Sequence, residues 1–315
     1  MTNEIELKNY FRAHGLKPKD YLGQNFLIDE DVLREMIGIA ELKPTDVVLE
    51  VGPGLGVLTK ELAARCREVL AVEKDSKLFK LLKEELIASA SGRLVEDKSQ
   101  RPRGSLILGQ IASSPPEITL REKSGSSQIR LFNDDILKFH VAENIKGEYK
   151  VVANIPYYLT SKLIQNFLEN VHQPKLLVIM IQKEVGERIV AGPGKLSMLG
   201  ISVQIYADAE IAAQVPRQSF WPVPEVDSVI LKILPRNKYS QITDHRLFFR
   251  ILKMAFAGKR KQIANSLSNG LNKPKEDITK MLRLASIDPT TRPQDVKIEQ
   301  WIELYKVAQM VVDVK

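Results

Sequence analysis

Residues 46–59, DVVLEVGPGLGVLT, begin as an apolar run and stop at three alternating glycines, Gly52, Gly54 and Gly56. A short apolar run ending in glycines reads as a buried strand. Glycines at its end let the backbone adopt positive φ and approach a ligand closely. The segment VLTKELAARC (57–66) then has helical spacing. A second buried strand follows in EVLAVEKD (68–75) and a second helix in SKLFKLLKEELIAS (76–89). Strand, helix, strand, helix with buried strands predicts a parallel, doubly wound α/β sheet.

Working outward, DEDVLREMIGIAE (29–41) predicts a helix capped by Asp29. QIRLFND (128–134), YKVVAN (149–154) and KLLVIMIQ (175–182) predict further buried strands, with helices at about 160–170 and in KEVGERIVA (183–191). MLGISVQIYADAEIAAQV (198–215) and DSVILKIL (227–234) read as strands added antiparallel at one sheet edge. From Asn237 the pattern becomes helical in four segments, 245–258, 259–270, 276–286 and 297–312. The expected division is therefore a sheet domain over 1–236 and a small all-helical domain over 237–315. Residues 88–128 are rich in Ser, Gly, Pro and charge and hold two short strand candidates, SLIL (105–108) and EITL (117–120). The step from Glu73 to Asp135 is about twice the ~30 residues that a strand–helix–strand unit needs. It reads as an insertion.

Composition narrows the class. The chain has 315 residues, with 46 Lys and Arg against 39 Asp and Glu, a net charge of +7. A modest positive excess suits a polyanionic partner or solubility alone. Cys66 is the only cysteine, so no internal disulfide forms, which fits a reducing compartment. The N-terminal stretch lacks a signal-peptide core, and no segment reaches the ~18–20 apolar residues of a membrane span. The expectation is a soluble, cytoplasmic protein, monomeric and without a membrane partner.

Ligands of open α/β sheets bind at the carboxyl ends of the strands. Four strand ends there carry chemistry. Gly52 and Gly54 lie in the glycine turn. Glu73 ends the next strand, about 20 residues on, where an acid accepts hydrogen bonds from ribose hydroxyls. Asp135, in NDDIL (133–137), is placed to accept from an adenine amine, with Asp134 as its neighbour. Asn154 closes the fourth strand and starts NIPYYLTS (154–161). The glycine pattern departs from the dinucleotide fingerprint because Val57 stands where the last glycine belongs. The ribose acid alone does not separate NAD from S-adenosylmethionine.

Taken together, GQNFLID (23–29), LEVGPGLGVLT, VEKD, NDDIL, NIPYYLTS and QSFWPVPEVDSVIL (218–231) resemble the ribosomal RNA adenine dimethyltransferase family, the KsgA/RsmA group. The tail segments FAGKRKQIANSL (256–267) and IDPTTRPQDVKIEQW (287–301) agree. The resemblance implies a Rossmann-like class I S-adenosylmethionine-dependent methyltransferase domain followed by a helical domain that binds RNA. It implies dimethylation of N6 on two adjacent adenosines near the 3′ end of small-subunit (16S) ribosomal RNA, on the assembling small ribosomal subunit. S-adenosylmethionine is the implied methyl donor, and no metal is expected. The implied cofactor residues are Asn25, Leu27, Gly52, Gly54, Glu73, Asp135 and Asn154. The implied catalytic set is Asn154, Pro156, Tyr157 and Phe220, with Tyr157 and Phe220 as the two aromatic walls of the base site and Tyr158 a core aromatic. The cluster Lys259, Arg260 and Lys261 is a candidate contact to RNA phosphates. Three rivals have different chemistry: a large-subunit methyltransferase conferring macrolide resistance, a non-catalytic assembly factor, and an NAD-dependent oxidoreductase. Val57 and the NIPY motif argue against the last, and the intact site residues against the second.

Overall fold

The computed structural model describes residues 4–19, 23–89, 94–96, 117–122, 127–236, 241–258 and 261–311. They form two compact units, Met1–Lys183 with Glu210–Pro235 and Glu184–Ala209 with Arg236–Lys315. The last junction, between Pro235 and Arg236, falls one residue before the boundary expected from the sequence. The stretch 184–209, expected in the sheet domain, instead packs with the helical unit.

The strands are β1 (Phe26–Leu27), β2 (Val47–Val51), β3 (Glu68–Val72), β4 (Leu94–Glu96), β5 (Glu117–Glu122), β6 (Gln128–Phe132), β7 (Lys150–Asn154), β8 (Leu176–Gln182), β9 (Ala207–Val215), β10 (Phe220–Trp221) and β11 (Ser228–Pro235). Nine of them form one sheet in the order β4-β5-β6-β3-β2-β7-β8-β11-β9. The central strands are parallel, and β11 runs antiparallel to β8, as the sequence predicts. The registers Val51↔Val72, Val72↔Phe132 and Asn154↔Met180 keep the carboxyl ends of these strands along one edge. Each strand is followed by a residue type unsuited to a continuing apolar strand: glycine after β2, acids after β3 and β6, and proline shortly after β7. All five residues of β2 are buried, Glu50 included.

Part of the insertion extends the sheet. β5 pairs antiparallel with β6 and β4 with β5, adding a hairpin at the edge. Arg130 on β6 ties it in place, with its Nε 2.6 Å from Glu117 and Nη1 donating to the Asn144 carbonyl. The SLIL candidate lies outside the described residues.

In the helical unit, His245–Phe256, Ile263–Leu271, Lys275–Leu284 and Ile298–Val311 follow the four predicted patterns. Their apolar faces, with Phe248, Trp301 and Tyr305 fully buried, close a core shared with Ile201 and Ile205. Ile201 belongs to a helix, Met198–Gln204, that the sequence reading took as strand. The Ser197 hydroxyl accepts from the Gly200 amide and caps the first turn, which a run of alternating apolar residues does not reveal. Among the described residues no helix is long and apolar enough to cross a membrane.

Candidate active site

One cavity opens at the carboxyl edge of the sheet, and its lining includes Asn25, Leu27, Gly52, Gly54, Glu73, Asp135, Asn154, Pro156 and Tyr157. Nine of the ten residues expected from the sequence therefore meet in one place. Phe220 is the one that does not.

The glycine loop and Glu73 are locked together. Gly54 has φ of 59°, and its amide donates to Glu73 Oε2 at 3.1 Å. A Cβ at Gly54 would stand 3.3 Å from the Phe26 ring, so the loop runs close under the N-terminal arm. Gly56, with φ of 80°, starts the helix Val57–Ala63, and a Cβ there would collide with Leu82. The close helix packing usually given to the last glycine of the fingerprint is thus supplied one residue earlier, which accounts for Val57. The other oxygen of Glu73 accepts from the Asp75 amide at 2.8 Å. Burial pushes the Glu73 carboxyl up to about 7, against the pull of these amides.

Asp135 and Asp134 both line the cavity. Asp135 Oδ1 accepts from the Leu137 amide, and Oδ2 meets Lys74 Nζ at 2.9 Å. Burial would raise this carboxyl, but Lys74 and that amide outweigh it and hold it below its usual range.

At the other end, Asn154 Nδ2 donates to the backbone carbonyl of Asn25 at 3.2 Å. That bond fixes the amide, and Oδ1 is the atom left to accept from a ligand. Pro156, with φ of −54°, leads into a tight turn over Tyr157–Leu159 and accepts from the Leu159 amide. The Tyr157 hydroxyl lies 3.0 Å from Ser228 Oγ. Tyr158, read as a core aromatic, is 52% exposed at the cavity rim. The turn puts adjacent tyrosines on different sides, and only Tyr157 reaches the buried hydroxyl.

Phe220 is 1% exposed and packs with Val215, Ile230 and other core residues. β10 runs antiparallel to β1 with Leu27 opposite Phe220, so the two side chains share one face and Leu27 packs against the same core cluster. Leu27 faces the cavity while Phe220 supports it from the core. Ser219 continues the joint, accepting from the Ile28 amide through its carbonyl and donating from Oγ to Asp29 Oδ2. The arm is also held at Asp75, which pairs with Lys19 at 2.5 Å and accepts from Gln24.

Sequence reasoning missed Glu50. It lines the cavity at 1% exposure, burial pushes its carboxyl up to about 8, and Oε2 has no hydrogen-bond partner. Thr59 nearby draws the carboxyl down only partly, and its own hydroxyl is also without a hydrogen bond. The signal was available, because a carboxylate inside an otherwise apolar parallel strand is seldom buried without purpose. Lys74 was likewise missed, though it directly follows Glu73. Of the basic cluster, Lys259 and Arg260 lie outside the described residues.

A family model, ribosomal RNA adenine dimethylase, matches residues 15–96 and 118–310. The chain belongs to the ribosomal RNA adenine dimethylase family. The match passes over 97–117, the middle of the insertion. Ribosomal RNA small subunit methyltransferase A of Dehalococcoides mccartyi is 36% identical over 95% of this chain and 91% of its own length. The protein of the same name from Moorella thermoacetica is 36% identical over 95% of both chains. Among solved structures, a dimethyladenosine transferase from Plasmodium falciparum has a TM-score of 0.68 at 22% identity, covering 90% of this chain and 98% of its own. The 23S rRNA methyltransferase ErmE has a TM-score of 0.61 at 25% identity, covering 90% and 100%. The chain is thus an enzyme of ribosomal RNA adenine dimethylation, and its family uses S-adenosylmethionine as methyl donor.

Proposed function

We propose that this enzyme dimethylates N6 of two adjacent adenosines near the 3′ end of small-subunit (16S) ribosomal RNA, with S-adenosylmethionine as donor. It acts as a monomer in the cytoplasm on the assembling small ribosomal subunit. The observation that carries this reading is the Asn154 amide, turned by the Asn25 carbonyl so that its oxygen accepts, in the same cavity as Glu73 and the glycine loop. Relatives at 34–36% identity named for the small subunit favour that RNA over the large-subunit one.

The residues fit the donor. Asp134 and Asp135 face one lysine, Lys74, along the lining, and a bound cation would offset the burial that keeps the neighbouring Glu50 and Glu73 carboxyls protonated. The buried, unpartnered Oε2 of Glu50 fits the same conclusion. Glu73 would hold the ribose hydroxyls, Asp135 the adenine amine, and Asn25, Leu27, Gly52 and Gly54 the remaining surface. S-adenosylmethionine, when bound, supplies an electrophilic methyl group on sulfur.

The substrate nitrogen is a weak nucleophile because its lone pair is delocalised into the adenine ring. Asn154 Oδ1 and the Ile155 carbonyl accept its two hydrogens and favour a pyramidal nitrogen. The Pro156 carbonyl already takes the Leu159 amide, which leaves Ile155 the freer acceptor. Tyr157 gives the extruded base an aromatic wall. Holding the nitrogen in line with the sulfur–methyl bond supplies much of the rate. With S-adenosylmethionine bound, these residues would hold the nitrogen ready to take its methyl group, and the displaced proton would pass to water.

The test is transfer from labelled S-adenosylmethionine to unmethylated small subunits, with mass spectrometry of the nucleosides. Dimethyladenosine at two adjacent positions is expected. Product only on large-subunit RNA, or none on either, would overturn the proposal.

A further inference from the structure

The segment QSFWPVPEVDSVIL enters the site description only through Phe220, and Phe220 is in the core. Another residue of the same segment touches a residue that lines the cavity. Ser228 is fully buried at the start of β11, opposite Gln182 of β8. A hydroxyl at such a position is costly unless hydrogen-bonded. Its partner is the Tyr157 hydroxyl at 3.0 Å. We propose that Ser228 is a positioning residue that holds the Tyr157 ring at the angle required of it as a wall for the substrate adenine. This rests on the reading of Tyr157 given under the proposed function.

Three observations support it. Tyr157 already has a constrained backbone, between Pro156 and a tight turn, so the two side-chain torsions are what remain to be set. A phenylalanine would cover the same apolar surface, so the hydroxyl is there for its partner. Ser228 does not line the cavity, whereas Tyr157 does, so any effect of Ser228 on the base passes through the ring.

The position of Ser228 is itself fixed. β11 keeps register with β8 from Ser228↔Gln182 to Ile233↔Leu177. Its neighbour Asp227 accepts from the Arg217 amide through Oδ1 and from the Lys183 amide through its carbonyl. β8 in turn pairs with β7 as far as Asn154↔Met180. Asn154 and Tyr157, three positions apart in sequence, are therefore also connected through β7, β8, β11 and the Ser228 hydroxyl. The acceptor for the amine and the wall for the ring share one rigid frame.

The experiment compares wild type, Ser228→Ala, Tyr157→Phe and the double variant, each assayed for S-adenosylmethionine affinity and for kcat/KM on unmethylated small subunits. Loss of one hydrogen bond predicts a fall of about tenfold in kcat/KM for each single variant. Cofactor affinity stays within about twofold, and the double variant is no worse than either single one, since both remove the same bond. Tyr157→Phe keeps the ring and carries the test if Ser228→Ala folds poorly. Full activity in Tyr157→Phe, or losses that multiply in the double variant, would overturn the role of Ser228. An inactive wild type on every RNA would overturn the proposed function itself, a separate result visible in the control arm.

Discussion

The two ends of the cavity, proposed for cofactor and for base, are built differently. At the proposed cofactor end, Gly54, Glu73 and Asp75 are joined by hydrogen bonds within a few residues of consecutive strand ends. At the proposed base end, each contact joins distant segments: Asn154 to Asn25 and Tyr157 to Ser228. The first set is a property of the parallel sheet. The second depends on an N-terminal arm and on β11 reaching it from remote parts of the chain. Substitutions behind the base end should therefore act through structure, and those at the cofactor end through binding.

The largest expected effect is on stability. Phe220→Ala removes a fully buried ring and should cost about 3–5 kcal/mol, read from chemical denaturation. If it instead left stability intact and abolished only RNA methylation, Phe220 would be a base-stacking ring after all.

Glu73→Gln comes next. Weakened hydrogen bonds to a charged group predict about 10–100-fold weaker S-adenosylmethionine binding by calorimetry. Stability should also fall, because glutamine keeps only one of the two oxygens that accept from the Gly54 and Asp75 amides, and unchanged affinity would remove Glu73 from the ribose site.

The third effect is pH dependence of the ligand-free enzyme. Glu50 and Glu73 are raised from the ordinary value of 4.5 to about 8 and about 7. At acidic pH below the ordinary value, folded and unfolded chains both hold these protons. Between there and about pH 8 the unfolded carboxyls have lost them while the folded ones keep them, so stability falls as pH rises. The fall should be of the order of 4 kcal/mol from about pH 6 to about pH 9. Glu50→Gln should flatten it in thermal melts, and an equally steep fall in that variant would exclude Glu50 as its source.

The smallest effect belongs to Lys74→Ala. Its ion pair with Asp135 is half-exposed. Such pairs contribute little, so cofactor affinity should shift by no more than about 2–5-fold. A larger loss would place Lys74 among the groups that bind the cofactor directly.

The same contrast explains what the sequence made legible. Buried parallel strands ending in Gly52, Glu73, Asp135 and Asn154 are readable because each apolar run stops where its chemistry begins. The side chain of Phe220 carries no such mark, since it is buried beside Leu27, far away in sequence. The roles of Asn25 and Ser228 as partners of Asn154 and Tyr157 were hidden for the same reason. The helix Met198–Gln204 was misread because its apolar alternation suits a strand equally well, and a cap at Ser197 decides the matter. Tyr158 was misread because a tight turn, not alternation, sets its direction. Glu50 and Lys74 are the legible features that the sequence reading does not use.

The most direct test separates the two ends in a single variant. Asn154→Ala would be measured for equilibrium S-adenosylmethionine binding and for single-turnover methyl transfer to unmethylated small subunits. Transfer should slow by about 10²–10³-fold, with cofactor affinity altered by no more than about threefold, which suits a residue at the junction. Transfer at the wild-type rate, or loss of cofactor binding large enough to explain the whole defect, would contradict the role given to Asn154.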